Sequence, residues 1–147
     1  MLIAYLDKID TQPLIDTLLK LAAITGRVEF KAAAEKSLRL FADRLHSLPQ
    51  AVPHLLLALA FWLEEPRRVV LAGDLTTPAA RELLRAAHGL YQPGKVVLGT
   101  AGPVESLART LAAPDGQPTA YVCTGAACQP PTREAAQLRE WLRRGPD

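Results

Sequence analysis

Residues 67–74 read RRVVLAGD, and Val69, Val70, Leu71 and Ala72 follow one another without a polar residue until Gly73 and Asp74 end the run. A short apolar run that does not alternate marks a strand covered on both faces, as in the sheets of α/β proteins. On its carboxyl side Thr77-Pro78 starts a helix. Proline fits the first helical position and holds Thr77 extended, which suits an N-cap. Leu83, Leu84 and Ala87 give that helix an inner stripe, and Gly89 ends it. After the Pro93-Gly94 turn, Lys95–Leu98 repeats the buried-strand pattern.

Further along, Gly102-Pro103 opens a short helix carrying Leu107 and Leu111, with Glu105 in its first turn, where a carboxylate is favoured. Pro114-Asp115-Gly116 turns the chain into a third strand, Thr119–Cys123. A tight loop closed by Cys128 follows, then Pro130 and Pro131, then a last helix capped by Thr132 with Leu138, Trp141 and Leu142 inside. Arg139, Arg143 and Arg144 lie near that helix's negative end, ahead of a Gly145-Pro146 stop. Strands alternating with helices through short connections predict an α/β fold whose β-α-β-α-β-α unit holds a small parallel three-stranded sheet with right-handed crossovers.

Upstream of Arg67 the pattern is helical. Leu14, Ile15, Leu18, Leu19 and Ala22 recur at helical spacing between a Thr11 N-cap and a Gly26 stop. Phe30, Ala34, Leu38, Phe41 and Leu45 form a second stripe, and the short Thr25-Gly26-Arg27 link predicts an antiparallel hairpin of the two. The third helix, Val52–Leu63, is apolar all round and is expected to be buried on every side, by the rest of the fold or by another chain. The organisation expected is a helical segment over residues 1–65 and a small α/β domain over 66–147.

The totals narrow the function classes. A chain of 147 residues is one ordinary domain or two small ones. With 17 Lys and Arg against 15 Asp and Glu, the net charge of +2 gives no basic field for nucleic acid or an anionic membrane, and 5% aromatic content gives no base-stacking platform. The longest apolar run, Leu55–Leu63, is short of the roughly 20 residues of a membrane span. The opening MLIAYLDKID carries acids where an export signal needs apolar residues, and two cysteines make no disulfide framework, so a reducing, cytoplasmic setting is expected. The lack of asparagine, the loop prolines and the excess of arginine over lysine are read as bacterial, from a thermophile or a GC-rich genome.

Two places are candidates for chemistry. Ligands of open parallel sheets gather beyond the carboxyl ends of the strands. Those ends carry Asp74 and Thr76, then Thr100, then Thr124 and Gly125, which are the ligand-binding candidates. Turns also require small polar residues, and no Gly-rich phosphate fingerprint is present, so the packing explanation is preferred.

The second place is the C-x4-C pair, Cys123 and Cys128, with four readings. As zinc ligands the two cysteines are half a site and no histidine stands in the loop; His46, His54 and His88 fall in helical segments. As a redox pair they are spaced unlike C-x-x-C, but Gly125 and the alanines between them leave a bridge sterically possible, and Cys128 stands ahead of a helix start. A lone nucleophile lacks a neighbouring base. The preferred reading is structural: Cys123 packs as a small apolar residue and Cys128 anchors a compact loop. No metal and no cofactor are expected.

Ala120-Tyr121-Val122-Cys123 with Cys128-Gln129-Pro130-Pro131, preceded by VVLAGD, resembles the C-terminal part of the thioredoxin-domain-containing proteins related to spermatogenesis-associated thioredoxin-like proteins. Leu18–Ala22 with Thr25-Gly26, and Pro53–Leu57, are similar as well, so the resemblance covers residues 12 to 142. It implies a long protein: a thioredoxin-like domain, an (α/α) toroid, and a small α/β tail. Residues 1–64 would then be the last toroid helices. This chain has no C-x-x-C and most of the toroid is missing, so no redox or sugar-processing role of those parts carries over. The function expected is a non-catalytic interaction or structural module that meets a protein partner or a second copy through its helical segment. The alternatives are thiol chemistry at Cys123 and Cys128 and a small-ligand site at the strand ends.

Overall fold

The spacing of Ile15 and Leu19 puts both on one side of a helix, and in a computed structural model of the chain, which describes residues 12–144, they are 1% and 3% exposed on a helix from Gln12 to Thr25 (α1). The Thr11 cap, the opening ten residues and the Gly145-Pro146 stop lie outside the described residues. Gly26, at φ 71, ends α1 in the left-handed conformation that glycine adopts without penalty. The described chain divides into two units, residues 12–22 with 27–64 and residues 23–26 with 65–144.

The first unit is helical. The stripe from Phe30 to Leu45 is not one helix: it breaks at Phe41 (φ −101, ψ 9) into α2 (Val28–Leu40) and α3 (Ala42–Ser47). A 3-10 turn, Pro49–Ala51, leads into α4 (Pro53–Leu63). Ala34 and Leu38 of α2 are buried, and α2 packs on α4, whose Leu55, Ala58 and Phe61 are buried at spacings of three. Of the two covers expected for α4, its own chain does not supply all of one, because Leu56, Leu57 and Leu63 are exposed. A neighbouring helix covers one stripe of an apolar helix and leaves the others open.

The second unit is built on β1 (Arg67–Ala72), whose Val69, Val70, Leu71 and Ala72 are all buried, as an unalternating run requires. There follow α5 (Pro78–His88), β2 (Lys95–Gly99), α6 (Ser106–Thr110), a 3-10 turn (Pro114–Gly116), β3 (Thr119–Thr124), β4 (Ala127–Cys128) and α7 (Ala135–Arg143). Thr77 caps α5, its hydroxyl accepting from Ala80 N at 3.2 Å. The α/β class is borne out; the all-parallel, three-stranded sheet is not. The sheet has four strands in the order β2-β1-β3-β4. β2 is parallel to β1 with Val69 opposite Val97, whereas β3 is antiparallel with Val69 opposite Val122.

The connection holds no helix long enough to lie along the sheet as a crossover: α6 rises about 7.5 Å beside strands of about 17–20 Å. The chain leaving Gly99 turns back at the same end of the sheet, and Thr119 enters opposite Ala72. The helix starts later than Gly102-Pro103: Glu105 is its N-cap, accepting from Leu107 N at 2.8 Å and Ala108 N at 3.0 Å. Thr132 is likewise not the cap of α7, which begins at Ala135; it bridges to Ala120, and its hydroxyl accepts from Glu134 N at 3.1 Å.

One sheet face carries Val69, Leu71, Ala120 and Val122 against Leu83, Ala86 and Ala87 of α5 and Leu138 and Leu142 of α7. Leu138→Ala should lower unfolding free energy in urea by about 2–5 kcal/mol, the cost of a buried leucine with its cavity. Leu84→Ala, at a site 41% exposed, should stay within about 0.5 kcal/mol. Equal losses would contradict the placing of this core.

Candidate functional site

The two cysteines meet in a hairpin. β3 and β4 pair with Cys123 opposite Cys128 and Thr124 opposite Ala127, leaving Gly125-Ala126 as a two-residue turn. Gly125 has φ 57, the positive value that a primed hairpin turn asks of its first central residue, and a Cβ there would run into the Glu65 carboxylate. Gln129 N donates to Val122 O at 2.9 Å, so the cysteines occupy the position between hydrogen-bonded pairs, where opposed Cα atoms come closest. Their Cα atoms are 4.0 Å apart and their sulfurs form a disulfide. The two ends differ in access: Cys123 is 1% exposed, whereas Cys128 lies on the surface.

Arg68 stands opposite Cys123 on β1, so the two side chains leave the same sheet face. Its guanidinium donates to Gly125 O in the turn and pairs with Glu105 Oε1 at 3.1 Å. Both side chains of that pair are nearly buried, 14% and 10% exposed. Glu105 is fixed in turn by its own N–H, which donates to Ile24 O at 2.8 Å, and by the two α6 amides it caps. The ion pair thus joins the hairpin turn, β1, the end of α1 and the start of α6. Sequence reasoning placed Glu105 in the first turn of a helix and missed Arg68, because a charge flanking a strand reads as its solvated end.

The ligand candidates do not form one crevice. Asp74 and Thr76 follow β1, and Thr100 follows β2 at the same end of the sheet. Thr124 faces Arg67 at the opposite end of β1, with Gly125 just beyond it, because β3 runs the other way. Asp74 is occupied locally: its Oδ1 accepts from Thr76 Oγ1 at 2.7 Å and Thr76 N at 2.9 Å, while its carbonyl accepts from Thr77 Oγ1 at 3.0 Å. That is a turn held by an aspartate just ahead of α5.

A cavity of about 470 Å³ in the helical unit, which the sequence did not announce, is lined by Leu38, Leu45, Leu59 and Trp62 together with His46 and the Glu35–Arg39 pair. The Trp62 Nε1 is buried with no hydrogen-bond partner among the described residues. No three His, Cys, Asp or Glu side chains gather as a metal site among the described residues.

The two hydrogen bonds from Thr76, its hydroxyl before its amide, hold the Asp74 carboxyl below its ordinary value. A carboxyl depressed in the fold contributes stability above its unfolded value of about 3.9, and that contribution is lost as pH falls through the lower folded value. Titration of Asp74 by NMR should show this, and Thr76→Val should bring the carboxyl back toward its ordinary value. An unchanged titration in the variant would contradict the assignment of the cause.

No model of a known protein family matches the chain, and no solved structure does. Curated relatives do. Spermatogenesis-associated protein 20 from Homo sapiens is 30% identical over 132 residues, covering 85% of this chain and 17% of that protein. The proteins of the same name from Rattus norvegicus and Mus musculus are 27% and 26% identical over the same extents. The chain therefore spans 17% of the length of the curated relatives it matches. All three are mammalian, which corrects the reading of the composition as bacterial. The resemblance drawn from the cysteine segment and the helical motifs holds: 85% of this chain is similar to one part of the longer spermatogenesis-associated protein 20.

Proposed function

We propose that this chain is a non-catalytic interaction module that acts in the cytoplasm and buries the open side of its helical unit against a second copy of itself. The observation that carries the reading is the distribution of exposed apolar side chains. Among the described residues, eight of the eleven large exposed ones, Leu14, Leu21, Val28, Leu40, Leu48, Leu56, Leu57 and Leu63, belong to the helical unit. Three of them lie on α4, whose remaining stripe is core. Exposed apolar side chains concentrated in one unit support an interaction role for it, and two copies meeting through the same surface close as a dimer.

The polar features favour the same class. Asp74 is used in a turn and Glu105 in an ion pair and a cap, so neither carboxylate is left for acid–base work. No described helix is long and apolar enough to cross a membrane. The net charge of +2 offers little to nucleic acid.

Light scattering on the purified chain at micromolar concentration should give twice its 15.9 kDa mass. Leu56→Glu with Leu57→Glu should weaken self-association by roughly a hundredfold or more, since charge is depleted from interface cores. A wild-type chain that stays monomeric would overturn the dimer.

A further inference from the structure

We propose that the Cys123–Cys128 disulfide is an exchangeable bond, opened by a dithiol that attacks Cys128, so that the β3–β4 hairpin is a redox-sensitive element of the α/β unit. Access selects the sulfur: Cys123 is 1% exposed within the sheet, while Cys128 lies on the surface of a two-residue edge strand. Thiol–disulfide exchange depends on which sulfur the attacking thiolate reaches.

The surroundings allow the bond to open without unfolding the unit. The bridge spans a sequence separation of 5, and a loop that short removes less unfolded-state entropy than a long one. The segment is tied independently of it. Gln129 N donates to Val122 O, Ala120 and Thr132 exchange two backbone hydrogen bonds at 2.8 and 2.9 Å, and Arg68 holds Gly125 O. Pro130 and Pro131 lack amide hydrogens and cannot extend the ladder between those ties, so β4 ends at Cys128. Opening the bond therefore frees a short edge while β3 stays paired with β1.

The step balances. The thiolate of the dithiol bonds to Cys128 Sγ, the sulfur–sulfur bond breaks, and Cys123 Sγ leaves with the electron pair on the face it shares with Arg68. The second thiol of the dithiol then attacks its own sulfur in the mixed disulfide. Cys128 leaves as a thiolate and the dithiol becomes a cyclic disulfide. The dithiol supplies two electrons and two protons, and this chain ends with two thiols. In a reducing compartment the bond then reports the local dithiol–disulfide balance rather than serving as a permanent staple.

The test uses the whole oxidised chain with dithiothreitol, with alkylation and intact mass as the readout and far-UV circular dichroism in parallel. Full reduction without denaturant, with the dichroism retained, is expected. Reduction that occurs only after unfolding, or that abolishes the dichroism, would overturn the proposal. A second measurement identifies the sulfur. Brief exposure of the reduced chain to oxidised glutathione, quenched in acid and mapped by peptide mass, should place the adduct on Cys128. The single variants repeat the question, with Cys123→Ser reacting roughly tenfold or more faster than Cys128→Ser. An adduct mainly on Cys123, or equal rates, would contradict attack at Cys128.

Discussion

Arg67 and Arg68 open the central strand, and because successive strand side chains point to opposite faces they tie together different parts of the α/β unit. Arg67 shares its face with Val69 and Leu71 and donates to Trp141 O at 3.3 Å and Leu142 O at 3.2 Å, near the carboxyl end of α7. A cation is favoured there by the helix dipole and by carbonyls without helical partners. Lys95, opposite Arg67 on β2, donates to Ala87 O and Leu90 O around the end of α5. Burial first, then the Arg67 charge, pushes the Lys95 ammonium below its ordinary value. Two like charges are tolerated side by side because each is directed at a helix end. Arg68 turns to the other face, to Glu105 and the hairpin carbonyl. A nearly buried ion pair is a poor source of net stability, but removing one partner leaves a costly charge, so it fixes an arrangement.

The second constraint is the direction of β3. No crossover helix runs back along the sheet after β2, and β3 enters antiparallel. That one reversal places Cys123, Thr124 and Gly125 at the Arg67–Arg68 end and leaves Asp74, Thr76 and Thr100 at the other. It also brings Cys123 beside Arg68 and lets the chain fold into the hairpin that carries the disulfide.

Much of the fold is legible in the sequence because its signals are local. VVLA, the apolar runs after Lys95 and Thr119, Thr77-Pro78 and Gly26 each state a strand, a helix start or a stop through neighbouring residues alone. Strand direction is not local. A run buried on both faces reads the same either way, and the shortness of α6, whose start Glu105 sets with its side chain, has no local mark in the sequence. β4 has two residues and therefore no period to read, and nothing in the sequence marks the break at Phe41. The cysteines were visible as a pair, whereas their partition into one sealed and one open sulfur follows from the hairpin.

The likeness to the curated relatives and the chemistry of the hairpin bear on different parts of the molecule. The relatives cover both units at modest identity, and the exposed apolar residues of the helical unit set the question of partnership. The α/β unit depends on the linkage that runs from the hairpin turn through Arg68 to Glu105 and α6. A double-mutant cycle with Arg68→Met and Glu105→Gln, read by urea unfolding, measures that linkage. The account predicts a coupling of about 1–3 kcal/mol between the two changes. Single-variant losses that add to the double-variant loss within about 0.5 kcal/mol would contradict it.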